Sequence, residues 1–154
     1  QAGKSFVEMR TLEGEKLCED LLGGLSEIEA MLSLIEKQAP EIITEYTNRL
    51  RERMQEILAD TAIDEGRLLN EVAVFSDRVN INEEIIRLKS HFAQMRQMLT
   101  LDEPVGRKLD FLIQEMNRET NTIGSKANDA IIARKVVEMK TILEKMKEQV
   151  QNVE

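Results

Sequence analysis

The last part of the chain carries the feature that most restricts its fold. Ile132, Val136, Met139, Leu143, Met146, Val150 and Val153 recur at alternating steps of four and three residues up to the C-terminus. On an α-helix that spacing gathers apolar side chains into one narrow stripe, which is stable only when another helix covers it. Near the other end Leu21, Leu25, Ile28, Leu32 and Ile35 repeat the same rhythm, and in the middle Ile85, Leu88, Phe92, Met95 and Leu99 do so again. A chain of 154 residues with three such seams can bury a sizeable core if its helices fold back on one another. Two Pro, seven Gly, no Trp, eight Met and only 3% aromatic residues also favour helices over sheets.

Punctuation between the seams sets the expected elements. A first helix spans about Ser5 to Lys37, and Gly23 and Gly24 in its middle permit a bend or a close helix contact. Ala39 and Pro40 mark a boundary, because the residue before proline is pushed out of helical geometry. A second helix is expected over Glu41 to Asp60, with Ile43, Tyr46, Leu50 and Ile57 on one face, forming an antiparallel hairpin with the first. The third, Glu65 to Arg78, turns Leu68, Leu69, Val72 and Phe75 inward, and Asn80 with Glu83 offers a cap for the fourth. Asp102 to Gly106, containing Pro104, breaks the pattern. A fifth helix covers Arg107 to Ile123 and stops at Gly124, and Asn128 or Asp129 caps the sixth. The expected fold is all-α: a long helical hairpin or coiled-coil arm over residues 1–63, plus an antiparallel helical bundle over residues 64–154.

Charge and cysteine content narrow the function classes. A net charge of −8 argues against a generally basic nucleic-acid surface. The charge is uneven, however: residues 1–79 hold nine Lys or Arg against 17 Asp or Glu, whereas residues 80–154 hold 12 of each. Any polyanion is therefore expected to meet the second half. No apolar run approaches the roughly 18 residues needed to span a bilayer, and no leader resembling a signal peptide opens the chain, so a soluble cytoplasmic protein without a membrane role is expected. The single cysteine, Cys18, rules out an intrachain disulfide and a cysteine-based zinc site, and is expected as a buried small hydrophobe.

His91 is the only histidine, and so the only side chain whose ordinary pKa lies near neutrality. At about 100° per residue Glu84 and His91 lie roughly 20° apart on one helix, at the border between its apolar stripe and solvent. On the next helix Glu115 and Glu119, one turn and about 6 Å apart, flank the inward stripe of Leu109, Leu112, Met116 and Ile123. The pair can share a hard divalent ion such as Mg or Mn, with His91 completing the shell. Glu84, about 10.5 Å from His91 along the axis, is better placed for a second metal, a water or a hydrogen-bond relay. Such a centre could supply a nucleophile or stabilise charge at phosphorus, with Arg87, Arg107, Arg118 and Lys126 holding phosphates. The plain alternative is that Glu84 with Arg87 or Lys89, and Glu115 with Arg118, are ordinary ion pairs on helix surfaces. The methionines at helical spacing are core filler, and Gly124-Ser125-Lys126 is too short for a phosphate loop.

The strings Glu83-Glu84-Ile85-Ile86-Arg87-Leu88-Lys89-Ser90-His91 and Gly106-Arg107 through Gly124-Ser125-Lys126 closely resemble the YicC/YloC family, as does the ending Glu148 to Glu154. The likeness is dense from about Leu68 onward and looser upstream, where Met9-Arg10 through Glu13-Gly14 resembles the entry to that family's helical region. Asn80 stands where the family often has Asp, and Met95 where it often has Phe. The resemblance implies a bacterial cytoplasmic endoribonuclease that uses a divalent metal, assembles as a homo-oligomeric hexamer and carries a further N-terminal domain. On matching motifs it implies Glu84, His91 and Glu119 for catalysis, Glu115, Glu119 and His91 for metal, and Arg87, Arg107, Arg118 and Lys126 for RNA. A second expectation of a different class is a non-catalytic scaffold whose heptad seams only assemble subunits.

Overall fold

The computed structural model describes residues 2–101 and 106–153, with side chains from residue 13 to residue 152. Among these are five helices and no strand: α1 (Ala2–Leu58), α2 (Glu65–Arg78), α3 (Asn82–Met98), α4 (Gly106–Ala127) and α5 (Ala130–Val153). The expected break around Pro104 and the side chain of Val153 lie outside the described residues.

The hairpin expected at Pro40 is replaced by one helix of 57 residues that runs through it. Proline lacks the amide that would bond the carbonyl four residues earlier, a loss of about 3 kcal/mol or more within a helix. Here Pro40 is exposed, so the unpaired carbonyl lies on a wet face, while Ile35 and Ile42 on the opposite stripe are both buried and carry packing across the break. The chain reverses instead after Leu58, where Ala59 takes a left-handed φ of 49° and Asp64 caps α2 by accepting the Arg67 amide at 3.2 Å.

Cross-helix contacts give the topology. On α1, Arg51 meets Glu65, Tyr46 stacks on Phe75, Glu36 meets Lys89 and Glu29 meets Arg96. As the α1 number falls its partner's rises, so α2 and α3 run end to end and antiparallel along α1. α4 returns antiparallel to α3, and α5 antiparallel to α4, completing a bundle of α1, α3, α4 and α5. The core runs across residue 63: Leu21, Leu25, Ile28, Leu32 and Ile35 belong to the same buried cluster as Ile132, Val136, Met139, Leu143, Met146 and Val150. Each of these side chains contributes about 1.5–3 kcal/mol by leaving water.

Two glycines owe their place to this packing. A Cβ on Gly24 would lie 3.0 Å from the Met146 sulfur, so α5 packs closely on α1 there, as the expected close contact requires. Gly124 does not end its helix, which continues to Ala127; a Cβ there would lie 3.1 Å from Val136 Cγ1. The left-handed residue is Asn128, with φ 44°, and Asp129 caps α5 by accepting the Ile132 amide at 3.0 Å. The cap expected from Asn80 is not made: Ile81 occupies the N-cap of α3 without a side-chain bond, and Asn80, one residue earlier, accepts the Asn82 amide at 2.9 Å in a turn that leads into the helix. Three inward assignments change: Leu69 and Ile57 are 67% and 73% exposed, since neither faces a neighbouring helix, and Cys18 is half-buried, its thiol 3.5 Å from the Leu99 carbonyl.

Candidate metal centre

The seam between α3 and α4 holds the charged residues that the helical spacing singled out. Glu84, Arg87 and His91 follow one another at steps of three and four on α3, and Glu115, Glu119 and Lys126 share a strip of α4. Because the helices are antiparallel, the strips meet as rungs. Lys126 Nζ donates to Glu84 Oε1 at 2.7 Å, Arg87 Nε donates to Glu119 Oε1 at 2.8 Å, and one turn further His91 faces Glu115 and Glu119. Arg87 also reaches back along its own helix to Glu84 at 3.5 Å and Glu83 at 3.6 Å.

The third rung is the chemically open one. One ligand atom each from His91, Glu115 and Glu119 lie within 4.8 Å of one another, with Glu119 buried and the other two half-buried. Donor atoms around a shared cation at roughly 2.1 Å sit about 3–4 Å apart, so small rotamer changes bring these three together. Two carboxylates and an imidazole suit a hard or borderline divalent ion. Among the described residues His91 Nδ1 is buried without a hydrogen-bond partner, and coordination or a bridging water would satisfy such an atom. The residues present therefore fit a divalent cation.

The first two rungs are counterion pairs. Glu84 is only 2% exposed. Burial pushes its carboxyl up, but the Lys126 hydrogen bond, with the charges of Lys126 and Arg87, outweighs burial and holds it below the usual carboxylate range. Arg87 is held above its ordinary value, chiefly by its hydrogen bond to Glu119. Arg87 and Lys126, expected to hold phosphates, are thus engaged with buried acids. Arg107 and Arg118 are exposed on α4, outside the rungs. Glu84 does pair with Arg87, at 3.5 Å, but as a buried acid rather than on the helix surface, and no pair joins Glu115 to Arg118 among the described residues. Spacing alone does not reveal the bond from Arg87 to Glu119; the antiparallel register supplies it. A groove of about 610 Å³ lined by Asn117, Val137 and Lys140 lies on other faces of α4 and α5 and contains no member of the rungs.

Residues 35–154 match the family described as endoribonuclease YicC-like, C-terminal. The chain belongs to that family. It is 48% identical over 148 residues to a probable endoribonuclease YicC of Clostridioides difficile, covering 96% of this chain and 50% of that relative. A probable endoribonuclease YicC of Haemophilus influenzae is 36% identical over 149 residues, covering 97% of this chain and 51% of the relative. The chain spans about half the length of these YicC relatives. The described helices include none long and apolar enough to cross a membrane.

Proposed function

We propose that this YicC-type chain forms the cation-binding part of a metal-dependent endoribonuclease, with His91, Glu115 and Glu119 holding a divalent Mn or Mg ion. The observation that carries this reading is the convergence of those three side chains across the α3–α4 seam within 4.8 Å. The names of its relatives supply the class of reaction, cleavage of RNA. A divalent cation there would act as a Lewis acid, offsetting charge as the phosphodiester bond breaks. The chain's own residues do the rest. Glu119 and Glu115 hold the cation, and His91 either completes its shell or moves a proton at an imidazole nitrogen. Glu84, tied to Lys126 and Arg87, braces the site from below, while Arg107 and Arg118 on the exposed side of α4 hold RNA phosphates. The enzyme works in the cytoplasm and as a homo-oligomer.

The scaffold reading rests on different residues from those first expected. The heptad seams lie inside the chain's own core, so contacts between copies must use other apolar positions such as Phe111 on α4, which is 60% exposed.

Mn titration by electron paramagnetic resonance and an RNA-cleavage assay of the protein test the proposal together. His91→Ala and Glu119→Gln are expected to weaken Mn binding at least roughly tenfold and to lower cleavage in parallel. Cleavage unchanged in both variants removes these residues from the mechanism.

A further inference from the structure

Resting on the metal-site reading above, we propose that Arg87 is a cation-gated phosphate ligand: without metal its guanidinium holds Glu119, and a divalent cation that takes Glu119 frees it to bind an RNA phosphate.

Three observations support this. Arg87 donates to one oxygen of the carboxylate that the cation would share, Glu119 Oε1 at 2.8 Å, so a guanidinium and a metal compete for the same buried anion. The Arg87 side chain is 47% exposed and already touches Glu83, Glu84 and Glu119, so it can swing to the water side without repacking the core. Charge supplies the direction. Around the rungs the carboxylates of Glu84, Glu115 and Glu119 outnumber the cations of Arg87 and Lys126 by three to two. Glu83, at 80% exposure, adds charge that water screens. Without a cation the cluster would therefore repel a phosphate, and a divalent cation reverses the sign of its inner part. Lys126 is held differently, by Glu84, which lies outside the cation's ligand set, so it stays in place when Arg87 leaves.

Such an exchange couples the two ligands: by thermodynamic linkage, cation binding tightens phosphate binding and phosphate binding tightens cation binding by the same factor. The guanidinium, planar and always charged, suits both partners, since carboxylate and phosphate present the same spacing of oxygens to its fork.

The test measures Mn affinity by electron paramagnetic resonance and, with and without Mn, the affinity for a short fluorescent 2′-O-methyl RNA that resists cleavage. Mn is expected to tighten RNA binding by the wild-type chain roughly fivefold or more. Arg87→Gln is expected to bind Mn at least as tightly as the wild type, having lost the competing cation, and to lose most of the Mn-dependent gain in RNA affinity. Weaker Mn binding by Arg87→Gln would show that Arg87 only orients Glu119, and an undiminished gain would show that another group receives the phosphate; either overturns the gate while leaving the metal site standing. No Mn binding by the wild type, or binding unaffected by His91→Ala, overturns both. Should Arg87→Gln fail to fold, the ¹⁵Nε resonance of Arg87 in the wild type decides the matter. Diamagnetic Mg should shift it from a protected, hydrogen-bonded position to a solvent-averaged one, and a resonance that stays put overturns the release.

Discussion

Replacing Lys126 by Met isolates the cost of burying a charge. Glu84 is 2% exposed, and its carboxylate oxygen Oε1 is held by Lys126 at 2.7 Å and more loosely by Arg87 at 3.5 Å. Removing one partner of a fully buried pair typically costs about 3–5 kcal/mol, because the remaining charge is left uncompensated. The figure is smaller here. The Lys126 side chain is 39% exposed and Arg87 remains nearby, so solvent screening and the second cation reduce the expected loss to about 1–2 kcal/mol. Loss of a positive charge from the last turn of α4 adds a few tenths more. The pH dependence distinguishes this cause from lost packing. In the wild type Glu84 titrates below its ordinary value, so its contribution is present above the unfolded-state value and disappears as pH falls through the folded one. Without Lys126, burial has lost its main counterweight and the folded value rises, so protonation relieves the buried charge as the pH drops. Urea unfolding followed by circular dichroism should therefore show Lys126→Met well below wild type at neutral pH and close to it in acid. A double variant with Glu84→Gln should regain most of the loss at neutral pH. A deficit that is independent of pH, or one that persists in the double variant, would refute the assignment of Glu84 as a buried anion sustained by Lys126.

The helix contacts lend themselves to two simpler measurements. Gly23, where an added Cβ would meet nothing within 4 Å, should gain about 0.5–1 kcal/mol on substitution by Ala, whereas Gly124→Val should lose about 1–3 kcal/mol because its added atoms meet the stiff Val136. Equal effects at the two positions in urea unfolding would contradict the close approach of α4 and α5. Leu143→Ala should cost about 2–5 kcal/mol by opening a cavity in the intrachain core, with the same loss at low and high protein concentration. A loss that depends on concentration would place that seam between subunits instead.

Which parts of the site were legible from spacing follows from helix geometry. The steps from Glu84 to His91 and from Glu115 to Glu119 place each set on one border of its helix, since rotation per residue is a local property. That His91 meets Glu115 and Glu119 rather than their neighbours depends on the register of α3 against α4, which is fixed by how Leu88, Phe92, Met95, Leu112 and Met116 interlock in the core. The same register brings Arg87 and Lys126 against the buried acids Glu119 and Glu84. Acids that penetrate the seam require cations close by, and these two basic residues are the ones within reach.

The sequence by itself determined the helical character of the chain, the three apolar seams and the limits of α2, and narrowed the α5 cap to Asn128 or Asp129, because each depends on neighbours a few residues away. Tertiary structure decided the rest. It carried α1 through Pro40, since buried side chains on both sides outweigh one missing hydrogen bond, and it kept Gly124 inside α4, where absence of a side chain admits Val136. It also assembled the three-residue centre, because contacts between residues 91 and 115–119 arise only when two helices already formed are pressed together by a shared core.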